Sequence, residues 1–173
     1  EYRFGLLVRP TGGTGFAQVP IHAGGIAWYG PYLYVAATRA GIYVVRVDDL
    51  LRLSDSARSG PSRRLGYDLV LPVFAKLSAW SRDEGSRLRY SFLSVQHGRP
   101  ENSPDHDSPA SLVVGEYGGV GKTQRLWRFR LDPRTHLVYF PLESGRGAEG
   151  RWTDVTFRLG LIARLSGRPI EVE

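Results

Sequence analysis

A Gly-Lys-Thr triplet at 121–123, inside a glycine cluster, raises the question of a phosphate-binding loop. A phosphate-binding loop has a glycine five positions before its Gly-Lys pair, and a helix follows so that backbone N–H groups surround the phosphate. Glu116 stands at that glycine position, and its carboxylate would repel a phosphate. The residues after Thr123 alternate like a strand. We therefore predict that Lys122 and Thr123 belong to a turn, and that this is not a nucleotide site.

Glu116 is itself a candidate ligand-binding residue. In the strand predicted at 111–117 it shares a face with Leu112 and Val114, so its carboxylate would be partly withdrawn from water. A carboxylate in such a place binds a cation or acts as an acid or base. The alternative is a strand-end glutamate paired with one of the many arginines.

A second group of polar residues lies in the stretch 97–110, where Asp105, His106 and Asp107 are consecutive. Carboxylates bind hard cations, and an imidazole adds to a transition-metal site, so these three are candidate metal ligands. Their neighbours are Asn, Ser and Pro, which are typical of solvated turns. We expect no cofactor, and a divalent cation is the alternative.

Two further candidates for ligand binding flank the first strand of the best-defined part of the chain. His22 precedes this strand, and the alternative is that it is a hydrogen-bonded turn residue. Tyr29 follows in an aromatic cluster with Trp28, Tyr32 and Tyr34. Such rings stack on sugars or peptides or pack in a core, and we expect Tyr29 to be the most exposed of them.

These residues lie on or beside short β-rich runs. Three runs separated by turn residues predict an antiparallel meander at 25–28, 32–37 and 42–47. Both faces of these strands are mostly apolar, so we expect the sheet to be covered on both sides.

The meander pattern occurs a second time, with strands at 88–96, 111–117 and 124–132. The two copies align with Leu112 on Leu33 and Trp127 on Tyr43. A rival alignment places Trp80 on Trp28 but matches fewer residues.

Repeated small antiparallel sheets predict an all-β, β-propeller-like fold. We count two to three blades, the third starting near residue 136, and a closed ring takes at least four, so the chain is expected to be a fragment of a larger ring. We predict one domain, 1–173, with long mobile loops at 52–66 and 97–110. After Gly145 the repeat cannot be followed.

Composition excludes several classes of protein. Only two of the 23 basic residues are lysines, and the arginines are spread along the chain without a block of like charges, so we predict no nucleic-acid partner. No apolar run is long enough for a membrane span. Zero cysteines exclude disulfides and thiol catalysis. The chain has no initiator Met and no signal peptide, and we expect it to be processed, trimmed or a fragment.

The strand motifs carry a resemblance to a known family. The segments are HAGGIAWYGPYLYVAAT, GIYVVRVDDL, GYDLVLPVF, LRYSFLSV, SLVVGEY and RLWRFRLD. Over roughly residues 20–140 the chain resembles uncharacterised secreted proteins of actinobacteria, which resemble six-bladed β-propellers. The resemblance implies a propeller fold and a secreted or extracellular location, and it assigns no activity. The chain departs from the family at Ala37, where related blades often carry an acidic residue, and after residue 145.

The sequence is compatible with two functions. The first is a non-catalytic extracellular module that binds a protein or carbohydrate through its loops and channel mouth. The alternative is a hydrolase or lyase at the channel mouth, using His22 and Glu116 with or without a metal ion. No nucleophile motif is present, and we favour the first function.

Overall fold

The computed structural model of the chain describes residues 4–11, 16–54, 66–79, 89–98, 110–117, 126–138 and 150–153. In these ranges the chain is all-β, as predicted, with one short 3-10 helix, Val47–Asp49. The strands are β1 Gly5–Pro10, β2 Phe16–Gln18, β3 Gly25–Tyr29, β4 Tyr32–Ala36, β5 Ile42–Arg46, β6 Leu51–Arg52, β7 Leu69–Ala79, β8 Phe92–Gln96, β9 Ser111–Gly115, β10 Leu126–Arg130 and β11 Gly150–Thr153. No helix of the described part is long and apolar enough to span a membrane.

The described strands form two sheets, and neither closes on itself. The larger sheet has eight strands in the order β2-β1-β7-β5-β4-β3, with β6 and β11 also paired to β7. Pairing is mixed, because β1 runs parallel to β7 while the other pairs are antiparallel. The smaller sheet is antiparallel, in the order β10-β9-β8.

The strand register confirms the repeat alignment. In the first unit, β3–β5, Leu33 pairs with Trp28 and with Val45. In the second unit, β8–β10, Leu112 occupies the same place, paired with Val95 on one side and Phe129 on the other. The two meanders therefore have the same strand order and the same register.

The two units pack head to tail. Each unit has a front face, which carries Leu33 and Val35 or their equivalents Leu112 and Val114, and a back face on the opposite side. The main core joins the back face of the first unit to the front face of the second. Its fully buried members include Tyr34, Ala36, Ile42 and Val44 from the first unit and Leu112 and Val114 from the second.

The units approach most closely at β3 and β8. A Cβ atom added to Gly24 would lie 1.8 Å from the carbonyl oxygen of Ser91, and one added to Gly25 would lie 3.1 Å from the backbone nitrogen of Leu93. The Gly-Gly pair is therefore needed so that two backbones can touch. Away from β3 and β8, large side chains fill the space between the sheets, including Tyr90, whose ring centroid is 6.3 Å from that of Phe129.

A second, smaller core lies where β1, β2 and β6 meet the first half of β7. It contains Leu6, Val8, Phe16, Leu51, Leu53 and Val70. The long strand β7 contributes Val70 to this core and Ala75 and Leu77 to the main core. One strand therefore connects both cores.

Some expectations about coverage hold only in part. Val35 and Val45 on the front face of the first unit are buried, but Ile26 and Trp28 on the same face are exposed. Residues 55–65 and 99–109 of the predicted loops lie outside the described residues, as do Lys122 and Thr123. Of the run predicted to start a third unit, residues 136–138 are described, and Val138 forms an isolated bridge to Leu131. Strand β11, which lies after residue 145, pairs with β7 in the larger sheet.

Candidate ligand-binding site

The first strands of the two units, β3 and β8, start at one end of the molecule and finish at the other. Gly24 contacts Ser91 just before β3 and β8 begin, so the two strands run side by side in the same direction. We call this the glycine end. The opposite end, where Tyr29 closes β3 and His97 follows β8, is the tyrosine end.

Three ring side chains from separate segments meet at the tyrosine end. The half-buried ring of Tyr29 lies 5.3 Å from the imidazole of His136, edge to face at 61°, measured between ring centroids. The exposed imidazole of His97 lies 6.3 Å from the same tyrosine ring. Tyr29 ends β3 of the first unit, whereas His97 follows β8 and His136 lies in the turn after β10 of the second unit, so both units contribute to this cluster.

His136 is held in place by its backbone and its ring. Its φ of 58° is left-handed, which is uncommon for a residue other than glycine. Its N–H donates to the carbonyl oxygen of Asp132 at 2.8 Å, and its own carbonyl accepts the hydroxyl of Tyr34 at 2.6 Å. A Cβ atom on Gly30 would lie 2.5 Å from the imidazole, so the ring packs directly on glycine backbone.

The hydroxyl of Tyr34 stays protonated and donates a hydrogen bond to the carbonyl oxygen of His136. Burial raises the pKa of Tyr34 well above the ordinary value, and the nearby Tyr32 and Tyr29 raise it further. The phenol therefore keeps its proton and its hydrogen bond to the carbonyl of His136 across the sheet-to-sheet contact.

Asp132 shapes the turn that presents His136. Its Oδ1 atom accepts the backbone N–H groups of Thr135 and Arg134, each at 2.8 Å. These two hydrogen bonds, with that of Thr135 the larger cause, lower the pKa of the Asp132 carboxyl. The turn is therefore stabilised by an ionised aspartate.

Trp28, rather than Tyr29, is the most exposed member of the aromatic cluster, so the expectation for Tyr29 was wrong in this respect. Tyr29 points to the back face, which the second unit covers, whereas Trp28 points to the front face. Its Nε1 donates to the carbonyl of Gly30 at 2.7 Å, which fixes the indole beside the tyrosine end. The alternation along β3, with Gly25 and Ala27 on the face of Tyr29, was the signal for close packing on that side.

His22 and Glu116 lie at the glycine end, away from Tyr29. His22 is exposed and precedes Gly24 by two residues. The half-buried Glu116 follows β9, and its Oε1 accepts the backbone N–H of Arg89 at 2.8 Å. This contact orders the chain entering β8, which is a structural role. The three ligand-binding candidates therefore do not form a single site.

No metal centre is evident in the described ranges, where no three His, Asp or Glu side chains are grouped closely enough to hold an ion. Asp105, His106 and Asp107 lie outside those ranges, and metal binding by them stays a prediction. The chain matches no protein-family model, and searches of curated proteins and of solved structures found no match.

Proposed function

We propose that this chain is a non-catalytic, secreted binding module of the β-propeller type, which binds a protein or carbohydrate at the tyrosine end. The observation that carries the proposal is the meeting of Tyr29, His97 and His136 at one end of the adjacent strands β3 and β8. Ligands of propellers have access to the inner strands at the openings of a central channel. A cluster built from both units at one end of β3 and β8 supports binding there.

The packing of the units supports the propeller part of this proposal. The blades of a propeller are alike and are related by rotation, so the back of one blade meets the front of the next. The two units have matching registers and pack in this head-to-tail manner. The close approach at Gly24 and Gly25 corresponds to the narrow, inner side of a wedge between blades.

The chemistry of the cluster suits a sugar or a peptide segment. Aromatic faces pack on the C–H groups of a sugar or on an apolar side chain. Imidazole nitrogens donate and accept hydrogen bonds, so they pair with hydroxyl or backbone amide groups. Because the backbone of His136 is already ordered, less conformational entropy is lost on binding.

The enzyme alternative has less support. It needs the carboxylate of Glu116 for acid–base chemistry or for a cation, and that carboxylate already accepts the N–H of Arg89. His22 lies at the same end, but no third polar group from the described residues completes a metal site with them.

The test is retention of ligands on glycan and protein arrays. We expect wild-type protein to retain one ligand class, and Tyr29→Ala and His97→Ala to weaken that binding by about five-fold or more, since truncating a central contact residue costs over about 1 kcal/mol. Tyr117→Ala is the matched control, because Tyr117 is an exposed tyrosine at the glycine end. Equal binding by Tyr29→Ala and wild type, or turnover of an arrayed compound, would contradict the proposal.

A further inference from the structure

Exposed apolar side chains are concentrated on two faces of the molecule. In the described residues, the large apolar side chains that are exposed are Phe4, Ile26, Trp28, Phe92, Tyr117 and Leu126. Ile26 and Trp28, exposed to 62% and 59%, lie on the front face of the first unit. Phe92 and Leu126, exposed to 40% and 68%, lie on the back face of the second unit.

These two faces are equivalent to the two halves of the contact already present between the units. Ile26 stands opposite Val35 in the same way that Leu93 stands opposite Val114, and Leu93 is buried in the main core. Leu126 is the equivalent of Ile42, which is fully buried there. Each exposed face therefore carries apolar groups at positions whose counterparts are buried by a neighbouring unit.

We propose that copies of this chain associate head to tail, with the back face of the second unit of one copy packed on the front face of the first unit of the next. The occupant is a second copy because each copy offers both halves of a contact that the chain already makes internally. The association does not depend on the ligand proposed above.

A head-to-tail contact is heterologous, so it closes into a ring when the rotation per copy allows it. Propellers have about four to eight blades, and each copy supplies two units, so a ring would hold about two to four copies. The expected molar mass is then two- to four-fold that of the 19.3 kDa chain.

The contact between copies must be looser than the one within the chain. Phe92 takes the place of Gly25, whose missing side chain permits the close backbone approach. Arg128 takes the place of the buried Val44. An arginine buries its stem while its guanidinium remains in water, which permits a contact but weakens it. Association is therefore expected to depend on protein concentration.

The experiment uses two variants, each of which disrupts association through one of the two faces. Ile26→Asp places a charge on the front face of the first unit, and Leu126→Asp places one on the back face of the second. Both positions are exposed, so both variants are expected to fold. Phe4→Asp is the control, because Phe4 is exposed but lies on neither face. Light scattering at increasing concentration gives the molar mass of each protein and of the two variants mixed.

We expect wild type and Phe4→Asp to form oligomers, each single-face variant to be monomeric, and the mixture of the two to form a dimer. The mixture dimerises because one variant keeps its front face and the other its back face. Arg128→Val is expected to strengthen association about ten-fold, since it restores an apolar side chain. A monomeric wild type at all concentrations would overturn the proposal, and so would a Leu126→Asp variant that still oligomerises by itself.

Discussion

Replacing Gly24 by alanine tests the packing of the two units directly. The added Cβ atom would lie 1.8 Å from the carbonyl oxygen of Ser91 and 2.8 Å from its carbon, whereas such atoms are essentially never closer than 3.0 Å. The backbones must therefore separate by about 1.2 Å at this point. Ser91 resists that movement, because its N–H donates to Gly115 and the preceding Tyr90 is bridged to Thr38.

We expect Gly24→Ala to lower the free energy of unfolding by about 3 kcal/mol, the upper part of the range for overpacked sites. For a chain of this size that corresponds to a melting temperature lower by roughly 6–12 °C. Urea unfolding followed by circular dichroism measures the change.

The matched control is Gly5→Ala. A Cβ atom there would make an ordinary contact, 3.6 Å from Cδ1 of Leu50, so stability is expected to change by less than about 0.5 kcal/mol. A Gly24→Ala variant as stable as this control would refute the close approach of β3 and β8, and with it one support for the proposed propeller packing.

Two further predictions concern the turn that carries His136. Tyr34→Phe removes the hydrogen bond to the His136 carbonyl, so urea unfolding is expected to show a loss of about 1–2 kcal/mol. Because the folded-state pKa of Tyr34 is raised, this tyrosine ionises first in the unfolded chain, and the advantage of wild type over Tyr34→Phe should fall as pH rises above about 10; an advantage constant to pH 11 would contradict this. Asp132→Ala should lower the melting temperature at neutral pH, and this difference should shrink as pH falls below about 4, because the folded-state pKa of Asp132 is lowered. A difference that persists at pH 2 would mean that the ionised carboxylate is not what stabilises the turn.

The strands and their repeat could be predicted from the sequence because the signals are local. Alternating side chains and turn residues define each meander, and two meanders of equal strand order align on pairs such as Leu33 and Leu112. The same alternation also predicts the orientation of Trp28, because Trp28 lies on the opposite face of the strand from Gly25 and Ala27. The error about Tyr29 came from judging exposure by the nearby turn and not by the face of the strand.

The candidate site could not be predicted, because it depends on contacts between units. His97 and His136 are far apart in sequence and carry no motif, and only the stacking of the sheets brings both rings to Tyr29. The role of Gly24 in the close approach of the two units could not be predicted for the same reason, because a glycine before a strand is typical of a turn. The pairing of β7 with β5 and β1 is likewise set by long-range contacts.

The long strand β7 has a consequence for how the molecule loses its structure. Its first half pairs with β1 and β6, its second half pairs with β5 and β11, and it has residues in both cores. If either core opens, one half of β7 loses its contacts while the other half is still packed in the remaining core. The larger sheet should melt as one cooperative unit, with the backbone amides of β7 among the slowest to exchange with deuterium.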